Sequence, residues 1–470
     1  MSKLLSRSSN LVLRNYAASK TIVPCRRQAE CWPKPEYGPM EVHRSNFLNG
    51  MKLAAASPLG APICACTIMF QVGSRHEIDD ELGVTHFLRA GSIMSGAAYS
   101  RYIKTRVLHQ CGGFLSCSSD RQTVSYTLRC PMPVFPELKC YLLDCGVRCL
   151  FPHYELDDIK RMVREDLDRR TSESHVMDLI QKACFAGPLS NSVYCAEGRI
   201  DSMTSETIQN FVETLFRTNI CSVGSFGVPF EEALKVASHI DCGRTERPPY
   251  MCMSVSCPRG GYEFFDKGRG EMTYVALGVP GAGTCDTDCF LKHAILAATL
   301  GQPGSSPQPW LHIADQTPAP PMTTLAEGDP FVNIKAFNIS YMDTGVWGFL
   351  IQSDAKKIRC LTLKVNEFFA NLCQKISIRD IDIGKKRLKL GAMAYTDTCE
   401  RMAENLALQN ATCCPCDGPR HLARMIDAIP PEEIIQTAGV LSTKHCSGQL
   451  AVAVVGDVAA APDDSEMCIF

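Results

Sequence analysis

Leu82-Gly83-Val84-Thr85-His86-Phe87-Leu88-Arg89-Ala90 is the stretch on which the reading of this chain turns. Val84, Phe87 and Leu88 are apolar at helical spacing, and the pattern around Gly83–Met94 predicts a helix with one face in a core. His86 stands one turn before Arg89 and Ala90 on that helix. Taken by itself, an imidazole in this setting reads as a helix residue satisfied by a local hydrogen bond.

Working outward, strand-like runs lie at Ile63–Val72 and Gln122–Arg129, and Leu48-Asn49-Gly50-Met51 reads as a turn between two earlier strands. Helical patterns follow at Pro136–Cys149 and Leu156–Arg169, with Asp157 and Asp158 as N-cap or first-turn acids of the latter. The same order returns downstream, where Asn338–Ser340, Gly345–Gln352, Cys360–Cys373 and Asp380–Leu390 read as strand, strand, helix and acid-capped helix. Asp158-Ile159-Lys160-Arg161 lies 224 positions before Asp382-Ile383-Gly384-Lys385, and Val124 lies 222 before Val346. Two unrelated landmarks at nearly one spacing indicate an internal duplication. Strands and helices come in runs, which excludes a TIM barrel or a doubly wound sheet. The fold class is therefore α+β: two homologous halves, each a mixed β-sheet covered mainly on one face by helices. The halves are placed at 38–240 and 261–470, with a linker at 241–260 around Arg247-Pro248-Pro249-Tyr250.

Composition narrows the function. The 470 residues carry 48 Lys plus Arg against 50 Asp plus Glu, so no basic excess marks a nucleic-acid protein. An apolar fraction of 45% excludes disorder over most of the chain. No uncharged apolar run approaches the roughly 20 residues of a membrane-spanning helix. The 26 cysteines are scattered, many within apolar runs such as Cys64 and Cys66, and read as reduced core residues. Cys413, Cys414 and Cys416 have only His421 nearby, which is a poor ligand set for structural zinc. No C-x-x-C-H occurs and no cysteine run has ferredoxin spacing, so neither haem nor an iron–sulfur cluster is expected.

The N-terminus is distinct. Glu30 is the first acidic residue, preceded by Lys3, Arg7, Arg14, Lys20, Arg26 and Arg27 and by several serines. Lys3, Arg7 and Arg14 share one side of a helical wheel, while Leu4, Leu5, Leu11 and Val12 take the other. That is the pattern of a mitochondrial transit peptide, expected at 1–16, with cleavage after Tyr16.

The motif segment resembles the zinc peptidase family built on an inverted H-x-x-E-H helix, which includes the mitochondrial processing peptidase and the core proteins of the cytochrome bc1 complex. Gly112-Gly113-Phe114-Leu115-Ser116, Asp120-Arg121-Gln122-Thr123 and Asn191-Ser192-Val193-Tyr194-Cys195 also resemble family segments, in order, from about residue 38 onward. In active members two histidines and a later glutamate hold Zn²⁺, and the motif glutamate is the general base. Transferred to this chain, His86 is kept, Arg89 stands at the base position, Ala90 at the second histidine, and Glu165 near the distal ligand. Catalytic zinc takes three protein ligands, and at most His86 and Glu165 remain. Arg89 opposes a metal as well: unit charges at about 4 Å and a dielectric of about 20 interact at about 4 kcal/mol, so repulsion from a divalent ion approaches about 8. The resemblance thus implies no catalytic residue, no metal and no cofactor.

Ala336-Phe337-Asn338-Ile339-Ser340-Tyr341-Met342-Asp343-Thr344-Gly345 is most similar to the core 2 branch. Leu300–Pro307, with only two glycines, lacks the long glycine-rich loop of the processing peptidase α subunit. The resemblance therefore implies a structural subunit of ubiquinol–cytochrome c reductase (respiratory complex III), peripheral on the matrix side of the inner membrane. Its implied partners are core protein 1, cytochrome b, cytochrome c1 and the Rieske subunit. The alternative is a non-catalytic, presequence-binding α-type subunit of the processing peptidase.

Overall fold

The computed structural model describes residues 41–58, 60–242, 256–301, 320–326, 329, 331–412 and 418–467. Residues 1–16, expected to be a transit peptide, most of the expected linker at 241–260, the stretch 302–307 and Cys413, Cys414 and Cys416 lie outside these residues.

The first half contributes β1 (Val42–Asn46), β2 (Lys52–Ala56), β3 (Ile63–Phe70), β4 (Phe114–Ser119), β5 (Val124–Pro131) and β6 (Cys221–Phe226). They form one sheet in the order β1-β2-β6-β3-β5-β4. Its principal helices are α1 (Val84–Ala90), α2 (Arg101–Gln110), α3 (Phe135–Gly146), α4 (His153–Asp168), α5 (Ser172–Cys184), α6 (Ser205–Leu215) and α7 (Phe230–Ser238). The turn at Leu48–Met51 joins β1 to β2, with Gly50 supplying the left-handed residue at φ 87°.

The second half contributes β7 (Gly261–Asp266), β8 (Thr273–Gly281), β9 (Asn333–Ser340), β10 (Gly345–Ser353) and β11 (Ala451–Gly456). Its principal helices are α8 (Thr287–Leu300), α9 (Ala355–Ala370), α10 (Ile378–Tyr395), α11 (Cys399–Thr412), α12 (Pro419–Ala428) and α13 (Pro431–Cys446). The sheet order is β9-β10-β8-β11-β7. Set β7 against β2 and the remaining strands in turn, and this is the first sheet without β1. In both sheets the pair β2–β6 or β7–β11 is parallel and the other named pairs are antiparallel. The duplication seen as a spacing of 222–224 positions is therefore a repeat of topology.

Strand alternation shows how the halves join. Leu53 and Ala55 of β2, with Cys64, Cys66, Ile68 and Phe70 of β3, face the first half's own helices. Ala54 and Ala56 face the other way and pack against Met402 and Leu406 of α11, while Met69 meets Ala407 and Ala411. In the second sheet, Val275, Leu277 and Val279 face its own helices, and Ala276, Ala451, Ala453 and Val455 pack against Val176, Ile180 and Ala183 of α5. Each half thus lends one helix to the second face of the other's sheet. Gly224 of β6 permits the approach, because a Cβ there would lie 2.1 Å from the Ala403 carbonyl oxygen. Both faces being buried also explains why Lys52–Ala56 and Ile63–Phe70 read as nearly continuous apolar runs.

Two local expectations change. Helix α4 begins at His153 after Pro152, so Asp157 and Asp158 lie in its second turn, where Asp158 pairs with Arg161 and Arg101. Helix α10 is capped by Ser377, whose Oγ accepts from the Asp380 N–H while Asp380 accepts back from the Ser377 N–H. Among the cysteines, Cys64, Cys66, Cys130, Cys145, Cys184, Cys195 and Cys221 are buried, whereas Cys257, Cys285, Cys360 and Cys446 are exposed. No helix among the described residues is long and apolar enough to cross a membrane.

Candidate functional site

The motif helix α1 spans only Val84–Ala90, shorter than the periodicity suggested, and ends at Gly91. Gly83 starts it at φ 97°, and a Cβ there would lie 2.6 Å from Cys195. Glycine is needed for both the turn and the close approach. The helix has no side-chain cap of the usual kind. Glu77 instead reaches in from the preceding loop: Oε2 accepts from the Gly83 N–H at 2.8 Å, and Oε1 accepts from the Thr85 N–H at 2.8 Å and the Thr85 hydroxyl at 2.7 Å. Burial pushes its pKa up to about 7, against the pull of these hydrogen bonds.

His86 is fully buried. Its Nδ1 accepts from the Cys195 N–H at 3.1 Å, which places the ring proton on Nε2, and Nε2 donates to Asp166 Oδ2 at 2.9 Å. Tyr194 packs edge-on against the imidazole, with centroids 5.5 Å apart. Burial, followed by the charge of Arg89, lowers the His86 pKa to about 4, so the ring is neutral at neutral pH.

Arg89 joins the same carboxylate, with Nη2 2.7 Å from Asp166 Oδ2, and Nη1 donates to Ser119 Oγ at 3.3 Å. Burial alone would raise the pKa of Asp166, but Arg89 and His86 hold it below the ordinary carboxylate value. The Arg89 guanidinium also lies 5.2 Å from the centre of the Tyr194 ring, and that of Arg170 lies 3.8 Å from it. Arg170 in turn meets Asp178 at 3.0 Å. Asp178 is itself bound by Arg121 Nη2 at 2.6 Å and the Ser192 hydroxyl at 2.6 Å. A continuous charged network therefore runs from His86 through Asp166, Arg89, Tyr194 and Arg170 to Asp178 and Arg121. It approaches the second half, where Arg75 makes a two-pronged bond to Asp343 at 2.7 and 2.6 Å and the Gln122 side chain accepts from the Met342 N–H at 2.9 Å.

Of the motif positions, His86 and Arg89 are brought together through Asp166. Ala90 presents only a methyl group. Glu165 is not in the site: it is 59% exposed and pairs with Arg169 of its own chain segment at 3.5 Å. The carboxylate at this place is Asp166, one residue on. The buried face of α4 carries Ile159 and Val163, and Asp166 lies seven and three residues beyond them, on the same side of the helix. The residues present do not fit a zinc ion. Both nitrogens of the single imidazole are engaged, and a guanidinium holds the one adjacent carboxylate. Among the described residues no group of three or more His, Cys, Asp or Glu is arranged to hold a metal.

Glu77, Asp166, Arg170 and Asp178 were not singled out from sequence. Tyr194 and Cys195 were, as part of a resembling segment, and they close the far side of His86.

The fold is a duplicated α+β chain with the motif helix in its first half. In agreement, residues 53–197 match the family model described as Insulinase (Peptidase family M16). The relatives it resembles along nearly its whole length are more particular. The chain is 24% identical over 436 residues to the human mitochondrial cytochrome b-c1 complex subunit 2, covering 91% of this chain and 92% of that protein. It is 22% identical over 431 residues to the mouse subunit 2, covering 90% and 91%. It is also 22% identical over 433 residues to the Arabidopsis thaliana probable mitochondrial-processing peptidase subunit alpha-1, covering 90% of this chain and 83% of that one.

Proposed function

We propose that this chain is a non-catalytic core subunit of the mitochondrial cytochrome bc1 complex, of the subunit 2 type. The observation that carries the proposal is end-to-end similarity to subunit 2, reaching 91% of this chain and 92% of the human protein. The motif helix supports the non-catalytic part. At its base position stands Arg89, ion-paired with Asp166, and its remaining histidine is neutral, buried and fully hydrogen-bonded. In this reading the chain sits on the matrix side of the inner membrane, contacts core protein 1, and supports cytochrome b, cytochrome c1 and the Rieske subunit in the assembly. The transit peptide at 1–16 is its import signal.

A second reading is a presequence-binding α-type subunit of the processing peptidase, favoured by the similarity to plant α subunits. Depletion separates the two. The structural role predicts less assembled complex, with normal turnover per remaining complex. Normal complex abundance with accumulation of uncleaved matrix precursors supports the α-subunit reading instead.

A further inference from the structure

The second half holds a cavity of about 630 Å³ between α8, α10, α11 and α12, bordered by Gly391, Ala392 and Tyr395 of α10 and Asn405 of α11.

The chemistry of this cavity is consistent. No Lys, Arg, Asp or Glu appears among its described lining residues, and its walls are mainly apolar, with Phe290, Leu291, Leu388 and Met425 among them. Its volume falls within the range of about 300–1,000 Å³ typical of small-molecule sites, which are apolar with a few placed polar groups. An ionised ligand would lose its hydration here, with the His421 imidazole as the one basic side chain among the described lining residues.

One polar group has a defined orientation. Gln409 Oε1 accepts from Arg44 at 3.2 Å, which turns Gln409 Nε2 towards Asn405, where it donates to Oδ1 at 3.4 Å. That fixes the Asn405 amide with its Nδ2 donor as the remaining function, on a half-buried residue of the cavity wall. A matching ligand must present an acceptor oxygen.

We propose that this cavity binds an uncharged, largely apolar molecule carrying a hydroxyl or carbonyl oxygen, with that oxygen on Asn405. The site does not depend on the assembly role proposed above. It is tested on the full-length chain, in whatever complex it is isolated, with a diazirine-bearing decanol as photo-crosslinking probe and a diazirine-bearing decanoate as its charged control. The expected result is labelling of peptides within 388–396 and 402–412 by the alcohol, competed by excess decanol, with at least tenfold less labelling by the carboxylate. Ala392→Trp, which fills the cavity from α10, should reduce labelling at least tenfold. Labelling elsewhere only, labelling that decanol does not compete, or equal labelling by decanoate would overturn the proposal. So would undiminished labelling of a folded Ala392→Trp protein. If that variant does not fold, the comparison of alcohol with carboxylate on the unaltered protein decides alone.

Discussion

His86 and Glu77 hold the same short helix but titrate in opposite senses, and replacing each in turn should expose the other. The folded-state pKa of His86, about 4, lies below its ordinary 6.5. Its contribution to stability is complete above pH 6.5 and is lost as pH falls towards 4. Glu77 is raised from 4.5 to about 7. Its contribution is complete below pH 4.5 and is lost as pH rises through 7. At roughly 1.4 kcal/mol per tenfold change in proton affinity, each swing amounts to about 2–3 kcal/mol between pH 4.5 and 7.5. The two nearly cancel in the parent. The assay is urea unfolding of the purified full-length parent, His86→Gln and Glu77→Gln across that range, read as differences so that other groups drop out. The stability of the parent minus that of His86→Gln should rise by about 2–3 kcal/mol with increasing pH, and parent minus Glu77→Gln should fall by about as much. Differences that stay flat to within about 0.5 kcal/mol, or slopes of the opposite sign, would refute the reasoning.

Three further outcomes are expected. Gly224→Ala forces a methyl group into the Ala403 carbonyl, and overpacking of this kind costs about 1–3 kcal/mol; a lower urea midpoint and faster proteolytic separation of the halves are the readouts. Arg121→Ala leaves Asp178 buried with one fewer cation and should cost about 3–5 kcal/mol, while Arg121→Lys should recover only part of this, because Arg121 also donates to the Leu189 and Asp178 carbonyls. Arg89→Glu combined with Ala90→His should create measurable zinc affinity by titration calorimetry; adding Asp166→Asn should weaken it about 10–100-fold, and adding Glu165→Gln should not.

The sequence carried the fold well where the information was periodic or positional. The duplicated order of strands and helices and the turn at Gly50 were legible. The exchange of α5 and α11 between the halves was not, because nothing local distinguishes a helix packed on its own sheet from one packed on another. The alanines of Lys52–Ala56 were its faint signal: small residues on the second face admit a helix backbone. Approximate spacing places the distal carboxylate at Glu165 to within one residue, and counting from the buried Ile159 and Val163 selects Asp166. Glu77 was invisible for a different reason. It caps a helix whose N-cap, Gly83, lies six residues later, so no capping pattern of adjacent residues announces it.

Membership of a respiratory assembly as a structural subunit, proposed above, can be tested on the native protein. The direct measurement is quantitative mass spectrometry of the native complex isolated through this chain from mitochondria. A structural subunit of this kind should give stoichiometric recovery of cytochrome b, cytochrome c1 and core protein 1. Recovery of a processing peptidase β subunit in equal amount, without the cytochromes, would contradict it.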